Sequence, residues 1–194
     1  MATAMHAAKA RLDVCASNLA NVSTDGFRRR VAHAALTARG LVTSNSVDTA
    51  QGPLRHTGRP FDLAVAGTGG FFVRGRDGRV VETRSGSFER DPSGRLTDER
   101  GGVLLMRGPL VVAAGATIDS RGFVRDAGSV TGALRLEPRT SLQSGFLEAA
   151  NVDAVHEMVD VLEAQRAFET AQKTLSAIDE ARQKDVNDVV RVKS

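Results

Sequence analysis

Apolar residues recur at alternating intervals of three and four near both ends of the chain, and this spacing restricts the fold more than any other feature of the sequence. The first series is Met5, Ala8, Leu12, Cys15, Leu19 and Val22. The second series is Val161, Ala164, Phe168, Ala171, Leu175 and Ile178. Such spacing aligns apolar side chains along one side of a helix, as in a coiled coil. The sequence therefore predicts two terminal helices that pair as a coiled-coil stalk.

The charge of the chain is also divided between its two ends. Residues 1–40 contain six Lys or Arg and two acidic residues, whereas residues 145–194 contain six Lys or Arg and ten acidic residues. Opposite charge favours ends that pair with each other or with neighbouring copies. The alternative is that both segments are simply solvated helix faces.

Short apolar runs and turn sequences occupy the middle of the chain. Asp77-Gly78 is typical of a hairpin and residues 91–95 of a Pro-containing turn. We expect a small antiparallel sheet system, barrel-like or sandwich-like. Acidic residues and arginines, Arg84 among them, alternate over 82–100, which predicts a solvated, salt-bridged face. The predicted core is Leu63, Val65, Phe71, Val73, Val81, Phe88, Leu96, Leu104, Val111, Ile118 and Phe123.

The predicted fold class is therefore α+β. Its divisions are an N-terminal coiled-coil helix over 1–27, an extended connector over 28–62, a β-rich body over 63–144 and a C-terminal coiled-coil helix over 145–194. Pro53 and Pro60 exclude a central strand from the connector. Thr24-Asp25-Gly26 ends the first helix, and Gly26 is a candidate for the left-handed conformation that closes a helix.

Residue types that carry catalysis or bind metal ions are not grouped in this sequence. The four histidines lie in different segments, and none has a second ligand at metal-binding spacing. Cys15 lies in the first apolar series, where we expect a small buried hydrophobe and not a nucleophile. The Gly-rich run 66–72 lacks the features of a phosphate-binding loop. We expect no catalytic residue, no metal site and no cofactor, and interpret the chain as not being an enzyme.

A basic run gives the alternative interpretation. Arg28-Arg29-Arg30 and a pI near 9.6 are compatible with a nucleic-acid-binding module that contacts phosphates. Against it, the sequence has no Trp or Tyr for base stacking, and its carboxyl-terminal helix is acidic.

Four blocks of the sequence resemble the bacterial flagellar rod and hook protein family. They are SNLANVSTDGF (17–27), TGRPFDLAVAGTGGFFV (57–73), ETRSGSFERDPSGRLTDERGGVLL (82–105) and GFLEAANVDAVHEMVDVLEAQRAFETAQKTLSAID (145–179). The blocks occur in the family's order and span nearly the whole chain. The two middle blocks are similar to those of the proximal and distal rod proteins and the hook.

The resemblance implies a structural subunit that assembles helically through its terminal helices and transmits torque from motor to hook. It implies partners that are copies of itself, other rod and hook subunits and the flagellar type III export apparatus, with no nucleic acid. The expected location is the periplasm-spanning rod of the basal body. No secretory leader or apolar stretch of about 18 residues is visible, so we expect export without a cleaved signal peptide and no direct membrane insertion.

The resemblance also implies which residues form the assembly interface. Asn18, Asn21 and Asn151 would be buried hydrogen-bonding groups that fix the register between subunits, or ordinary helix caps. Glu157 and Arg166 would pair with charges on neighbouring copies, or form solvated surface pairs. The full candidate set is Leu12, Asn18, Leu19, Asn21, Val22, Gly26, Phe27, Asn151, Val152, Glu157, Met158, Arg166, Phe168 and Leu175.

Overall fold

The chain folds into two compact units, each built from separated stretches of sequence. The computed structural model describes residues 2–37, 40–108, 111–138 and 140–192. Unit 1 comprises Met1–Ala20, Arg29–Asp48 and Val152–Ser194, and unit 2 comprises Asn21–Arg28 and Thr49–Asn151. The two helices and several small antiparallel sheets confirm the predicted α+β class.

Unit 1 contains the two helices and one hairpin. Its elements are α1 (Ala2–Ala20), β1 (Arg30–Thr37), β2 (Gly40–Val47) and α2 (Ala154–Val192). The helices contact each other, and Val14, Cys15 and Ala164 are buried. Strands β1 and β2 are antiparallel, with Leu36 opposite Leu41. Within the described ranges, neither helix is long and apolar enough to cross a membrane.

Three expected boundaries in this part of the chain differ from the structure. Helix α1 ends at Ala20, and the residues up to Gly26 form turns instead of a last helical turn. Helix α2 begins at Ala154 and not at 145, because Asp153 Oδ1 accepts hydrogen bonds from the amides of Val155 and His156 as an N-cap. The expected connector contains the β1–β2 hairpin, whose alanine-rich first strand carries a weak sequence signal.

Unit 2 is built from short antiparallel strands. They are β3 (Leu54–His56), β4 (Leu63–Ala66), β5 (Phe71–Arg74), β6 (Val80–Thr83), β7 (Glu89–Arg90), β8 (Leu96–Thr97), β9 (Val103–Leu104), β10 (Met106–Arg107), β11 (Thr117–Ile118), β12 (Phe123–Asp126), β13 (Ser129–Leu134), β14 (Ser141–Ser144) and β15 (Phe146–Glu148). Among the described residues they form sheets in the orders β6-β5-β9-β8-β7, β10-β13-β12-β11, β14-β4 and β15-β3. Strand β15 occupies sequence that we expected to begin the second helix.

The hydrophobic core of unit 2 matches most of the predicted positions. Buried as expected are Leu63, Val65, Phe71, Val73, Phe88, Leu96, Leu104 and Ile118. The prediction was wrong for Val81, Val111 and Phe123, which are exposed. Val112 and Val124 are buried instead, since neighbouring positions on an extended chain point to opposite sides. Val81 is exposed because β6 is an edge strand of its sheet.

Candidate assembly interface

Two arginines connect α2 to the rest of unit 1 through ion pairs. Arg11 Nη2 lies 2.8 Å from Asp160 Oδ1 and 3.2 Å from Glu163 Oε2. Arg29 Nε donates to Glu157 Oε1, and its Nη2 lies 3.2 Å from Asp160 Oδ2. We call these five residues the acid–arginine cluster. Opposite charge on the two ends of the chain is therefore used, at least in part, within one chain.

Asn18 lies next to this cluster and is fully buried. Its Nδ2 donates to the carbonyl oxygen of Arg30 at 2.8 Å and to Glu157 Oε2 at 3.2 Å. Its Oδ1 accepts from the amide of Arg30 at 2.9 Å. One asparagine near the end of α1 thus holds the first residue of β1 and a buried carboxylate of α2. The hydrogen bonds and the ion pair shown here for Asn18 and Glu157 lie within one chain, and their roles between subunits stay predictions.

The two arginines of the acid–arginine cluster and the neighbouring Cys15 have raised pKa values. The hydrogen bond to Glu157 raises the pKa of Arg29, and the hydrogen bond to Asp160 raises that of Arg11. Burial, followed by the nearby Glu157 and Asp160 carboxylates, raises the pKa of the Cys15 thiol. The two guanidinium groups and the thiol therefore all favour their protonated forms in the folded unit.

Ligand atoms of Cys15, Glu157 and Asp160 lie within 4.8 Å of one another, which is close enough to surround a cation. However, the guanidinium group of Arg29 already binds both carboxylates, and Arg11 binds one of them. Two fixed positive charges against this acidic pair disfavour a further cation. The arrangement holds helices and hairpin together and does not resemble a metal centre.

Gly26 makes a close backbone contact within unit 2. Its φ is 71°, which confirms the predicted left-handed conformation. Its amide donates to the carbonyl oxygen of Glu148 at 2.6 Å. A Cβ atom at this position would lie 2.3 Å from the carbonyl carbon of Arg84, so only glycine fits.

A buried ion pair joins the segments that meet near Gly26. Arg84 Nη1 lies 2.9 Å from Glu148 Oε2, and the other carboxylate oxygen accepts from the amide of Gly52 at 3.2 Å. Arg84 also donates to the carbonyl oxygens of Val65 and Gly67. The sequence prediction placed Arg84 on a solvated face, which is wrong. The available signal was the small residues beside each partner, Ser85-Gly86-Ser87 and Ala149-Ala150, which permit close backbone approach.

Comparison with known proteins assigns the chain to a family. Residues 1–28 match the family described as "Flagella basal body rod protein", and residues 143–189 match "Flagellar basal body rod FlgEFG protein C-terminal". The chain is 32% identical to a protein named flagellar basal-body rod protein FlgF of Escherichia coli strain K12, over 92% of this chain and 93% of that protein. The chain belongs to the flagellar basal-body rod protein family.

Other members of the rod protein family match over a similar length. The FlgF protein of Salmonella typhimurium is 31% identical over 92% of this chain and 93% of that protein. The FlgG protein of Agrobacterium fabrum is 25% identical over 92% of this chain and 94% of that protein. The family proposed from the four sequence blocks is therefore confirmed, and the relatives give the nucleic-acid alternative no support. Within the basic run, Arg29 is paired with acidic residues of α2.

The rod-family signature residues 21–27 meet residue 151 within unit 2. Thr24 Oγ1 donates to Asn21 Oδ1 at 3.3 Å. The Asn151 amide donates to the carbonyl oxygen of Phe27 at 3.3 Å, and Asn151 Nδ2 donates to that of Ala50 at 2.9 Å. The two asparagines thus take part in turns and segment contacts outside the helices.

The remaining candidate residues differ in their burial. Half-buried positions are Leu12, Leu19, Val22, Val152, Phe168 and Leu175. Met158 and Arg166 are exposed on α2. Met158 belongs to an apolar stripe that sequence reasoning did not single out as exposed. This stripe, which we call the α2 apolar face, consists of Val155, Met158, Val159 and Leu162, each at least half exposed.

Proposed function

We propose that this chain is a structural subunit of the bacterial flagellar rod, and that it is not an enzyme. The observation that carries the proposal is the match to FlgF of Escherichia coli over nearly the full length of both proteins. Similarity that extends through both helices and the β-rich unit favours the same kind of structural role. Rod subunits repeat along an axis, so each copy presents surfaces to its neighbours.

The terminal helices are the proposed assembly elements, pairing in the manner of a coiled-coil stalk. The α2 apolar face supports this role, because four large apolar side chains at helical spacing are exposed together. Covering such a stripe with a neighbouring helix removes apolar surface from water. Helical stacking of many copies would then carry torque from motor to hook.

The proposed partners are copies of the same chain, other rod and hook subunits, and the flagellar type III export apparatus. The proposed location is the periplasm-spanning rod of the basal body, reached without a cleaved signal peptide. The intrachain ion pairs of α2 leave Met158 and Arg166 as the better candidates for contacts between subunits, since both are exposed. The interface role of the other candidate residues is likewise part of the proposal.

Deleting the gene and imaging isolated basal bodies by electron microscopy tests this function. A basal body that stops at the membrane ring, or a rod that lacks a hook, is the expected result. The stopping point also distinguishes a proximal from a distal position. Intact hooks and filaments in the deletion strain would overturn the proposal.

A single substitution tests the proposed helix contact. Met158→Glu adds a charge to the α2 apolar face without affecting a buried side chain. We expect at least a tenfold lower amount of the chain in purified basal bodies, about 1.4 kcal/mol in binding, with unchanged circular dichroism of the purified protein. Gln165→Glu, which adds the same charge at another exposed position of α2, is the control. Equal retention of the two variants would contradict the helix contact.

A further inference from the structure

The β1–β2 hairpin presents apolar side chains to solvent. Its first residue is anchored by Asn18, and the amide of Asp48, just beyond it, donates to the carbonyl oxygen of Arg29 at 2.8 Å. Farther along, Leu36 is 85% exposed, and Val42 is also exposed. A two-stranded hairpin is marginally stable in water without a surface to pack against. The hairpin therefore has a fixed base and an apolar end that lacks a cover within the described part of unit 1.

Unit 2 contains a partly apolar groove that could cover the exposed side chains of the hairpin of another copy. It has a volume of about 610 Å³ and lies between residues 24–27, strands β5 and β6 and the turn at 98–102. Phe27, Val73 and Val81 give it apolar walls. Strand β6 is at the edge of its sheet, so backbone groups on one side of the strand have no neighbouring strand in the described residues.

The groove and the hairpin have opposite charge. The groove is lined by five acidic residues and two arginines. The acidic residues are Asp25, Asp77, Glu82, Asp98 and Glu99. The hairpin sequence over residues 30–47 contains two arginines and no acidic residue. Within the described ranges Glu82 and Glu99 form no ion pair inside 4.0 Å, so their charges are available to a basic partner. Complementary charge favours this pairing over contact with another acidic surface.

We infer that the hairpin of one copy docks into the acidic groove of a second copy, beside strand β6. This inference rests on the proposed function, in which copies of the chain lie next to one another. Leu36 and Val42 would pack on the apolar walls, and an edge of the hairpin would extend the sheet at β6. Because the two surfaces differ, the contact is head-to-tail, and such a contact can repeat from copy to copy along a helical assembly.

Cysteine cross-linking in the assembled rod tests the inference. In a Cys15→Ser background, Leu36→Cys is combined with Val81→Cys, and basal bodies from the bacterium that encodes the chain are oxidised. The expected result is a ladder of dimers and larger species on a non-reducing gel. The control pair combines Leu36→Cys with Val130→Cys, which lies in another sheet and is 52% exposed compared with 58% for Val81.

The outcomes separate this inference from the proposed function. If the chain is present in the basal bodies but no ladder forms, the docking alone is overturned. If the chain is absent from the basal bodies of the parent strain, the rod function is overturned. A ladder of equal strength from the control pair, or a cross-linked monomer, also overturns docking between copies. Glu82→Arg with Glu99→Arg is expected to lower the cross-linked yield about tenfold. Glu89→Arg, at a position 82% exposed outside the groove, is expected to leave the yield unchanged.

Discussion

Arg84 and Glu148, which are separated by most of the β-rich sequence, form a buried ion pair with Nη1 and Oε2 2.9 Å apart. Neither carboxylate oxygen is left without a partner, because Oε1 accepts from the amide of Gly52. The backbone of the same two residues contacts Gly26. One charged pair therefore fixes the segment at Gly52, strand β15 and the residue that follows strand β6 with respect to one another.

Breaking this pair is expected to destabilise the protein strongly. Glu148→Ala leaves the Arg84 guanidinium buried without its counter-charge, so we expect the free energy of unfolding to fall by about 3–5 kcal/mol. Urea unfolding of the purified chain measures this change. Glu89→Ala, which removes an exposed carboxylate, is the control and should change stability by less than about 0.5 kcal/mol.

The double variant Arg84→Ala, Glu148→Ala distinguishes a paired contribution from two independent ones. Since each single substitution strands a charge that the double substitution removes, the double variant should be more stable than the sum of the single effects predicts, by about 0.5–3 kcal/mol. Strict additivity would show that the two side chains act independently.

Adding one methyl group at Gly26 is expected to lower the free energy of unfolding by more than the left-handed backbone conformation alone would explain. Gly26 and Gly78 have φ values of 71° and 79°, but a Cβ at Gly78 meets nothing within 4 Å. We expect Gly78→Ala to cost about 1 kcal/mol from backbone conformation and Gly26→Ala about 3 kcal/mol, because the latter adds overlap with Arg84. Thermal and urea unfolding measure both. Equal losses would mean that the backbone at Arg84 moves aside freely.

Removing the Asn18 side chain is expected to loosen the base of the hairpin. Asn18→Ala deletes the contacts to the amide and carbonyl of Arg30 and one contact to Glu157, at an expected cost of about 2 kcal/mol. The Arg30 amide should lose protection in hydrogen exchange more than the amides of β12. Asn45→Ala, at an exposed position of β2, is the control. Unchanged protection of Arg30 would contradict the anchoring role.

Stability is expected to decrease on acidification. Burial tends to raise the pKa of Asp119, but hydrogen bonds from the amides of Phe123 and Arg121 and the charge of Arg125 outweigh it and lower that pKa. A carboxyl group with a lowered pKa in the folded state stabilises the fold above its unfolded value, about 3.9, and loses this contribution as the pH falls through the folded value.

Asp119→Asn should therefore reduce the loss of stability between about pH 6 and about pH 3, because asparagine does not titrate. Urea midpoints across that range measure the slope, and Ser129→Ala, at an exposed neutral position, is the control. A slope as steep in Asp119→Asn as in the parent would assign the acid sensitivity to other groups. Asp91, whose pKa is lowered chiefly by a hydrogen bond from the amide of Arg95, is the next residue to test in that case.

The sequence predicted the helices, the β-rich middle and the family because these depend on local patterns. Intervals of three and four located both helices, and Gly26 was recognised from the turn that contains it. The prediction placed Val111 and Phe123 in the core where the structure has Val112 and Val124. Each is an error of one position, which local spacing does not resolve in segments this short.

The polar contacts between distant parts of the sequence could not be predicted in the same way. Asn18 meets Glu157, and Arg84 meets Glu148, across separations of 139 and 64 residues. Such partners are brought together by the complete fold, and exposed and buried arginines look alike in a sequence. Arg84 was therefore assigned to the solvated face, and the burial of Glu157 within one chain was not foreseen.

The chain passes between the two compact units four times, at residues 20–21, 28–29, 48–49 and 151–152. Neither unit is therefore a contiguous fragment. Strands β3 and β4 receive their partners β15 and β14 only after residue 141 has been synthesised. Contacts this distant in sequence form slowly, because a long loop must be closed first. During translation, a chain that emerges amino-terminus first keeps unit 2 incomplete until about three quarters of its length is made, so the folding of this unit is a late event in the life of the nascent polypeptide.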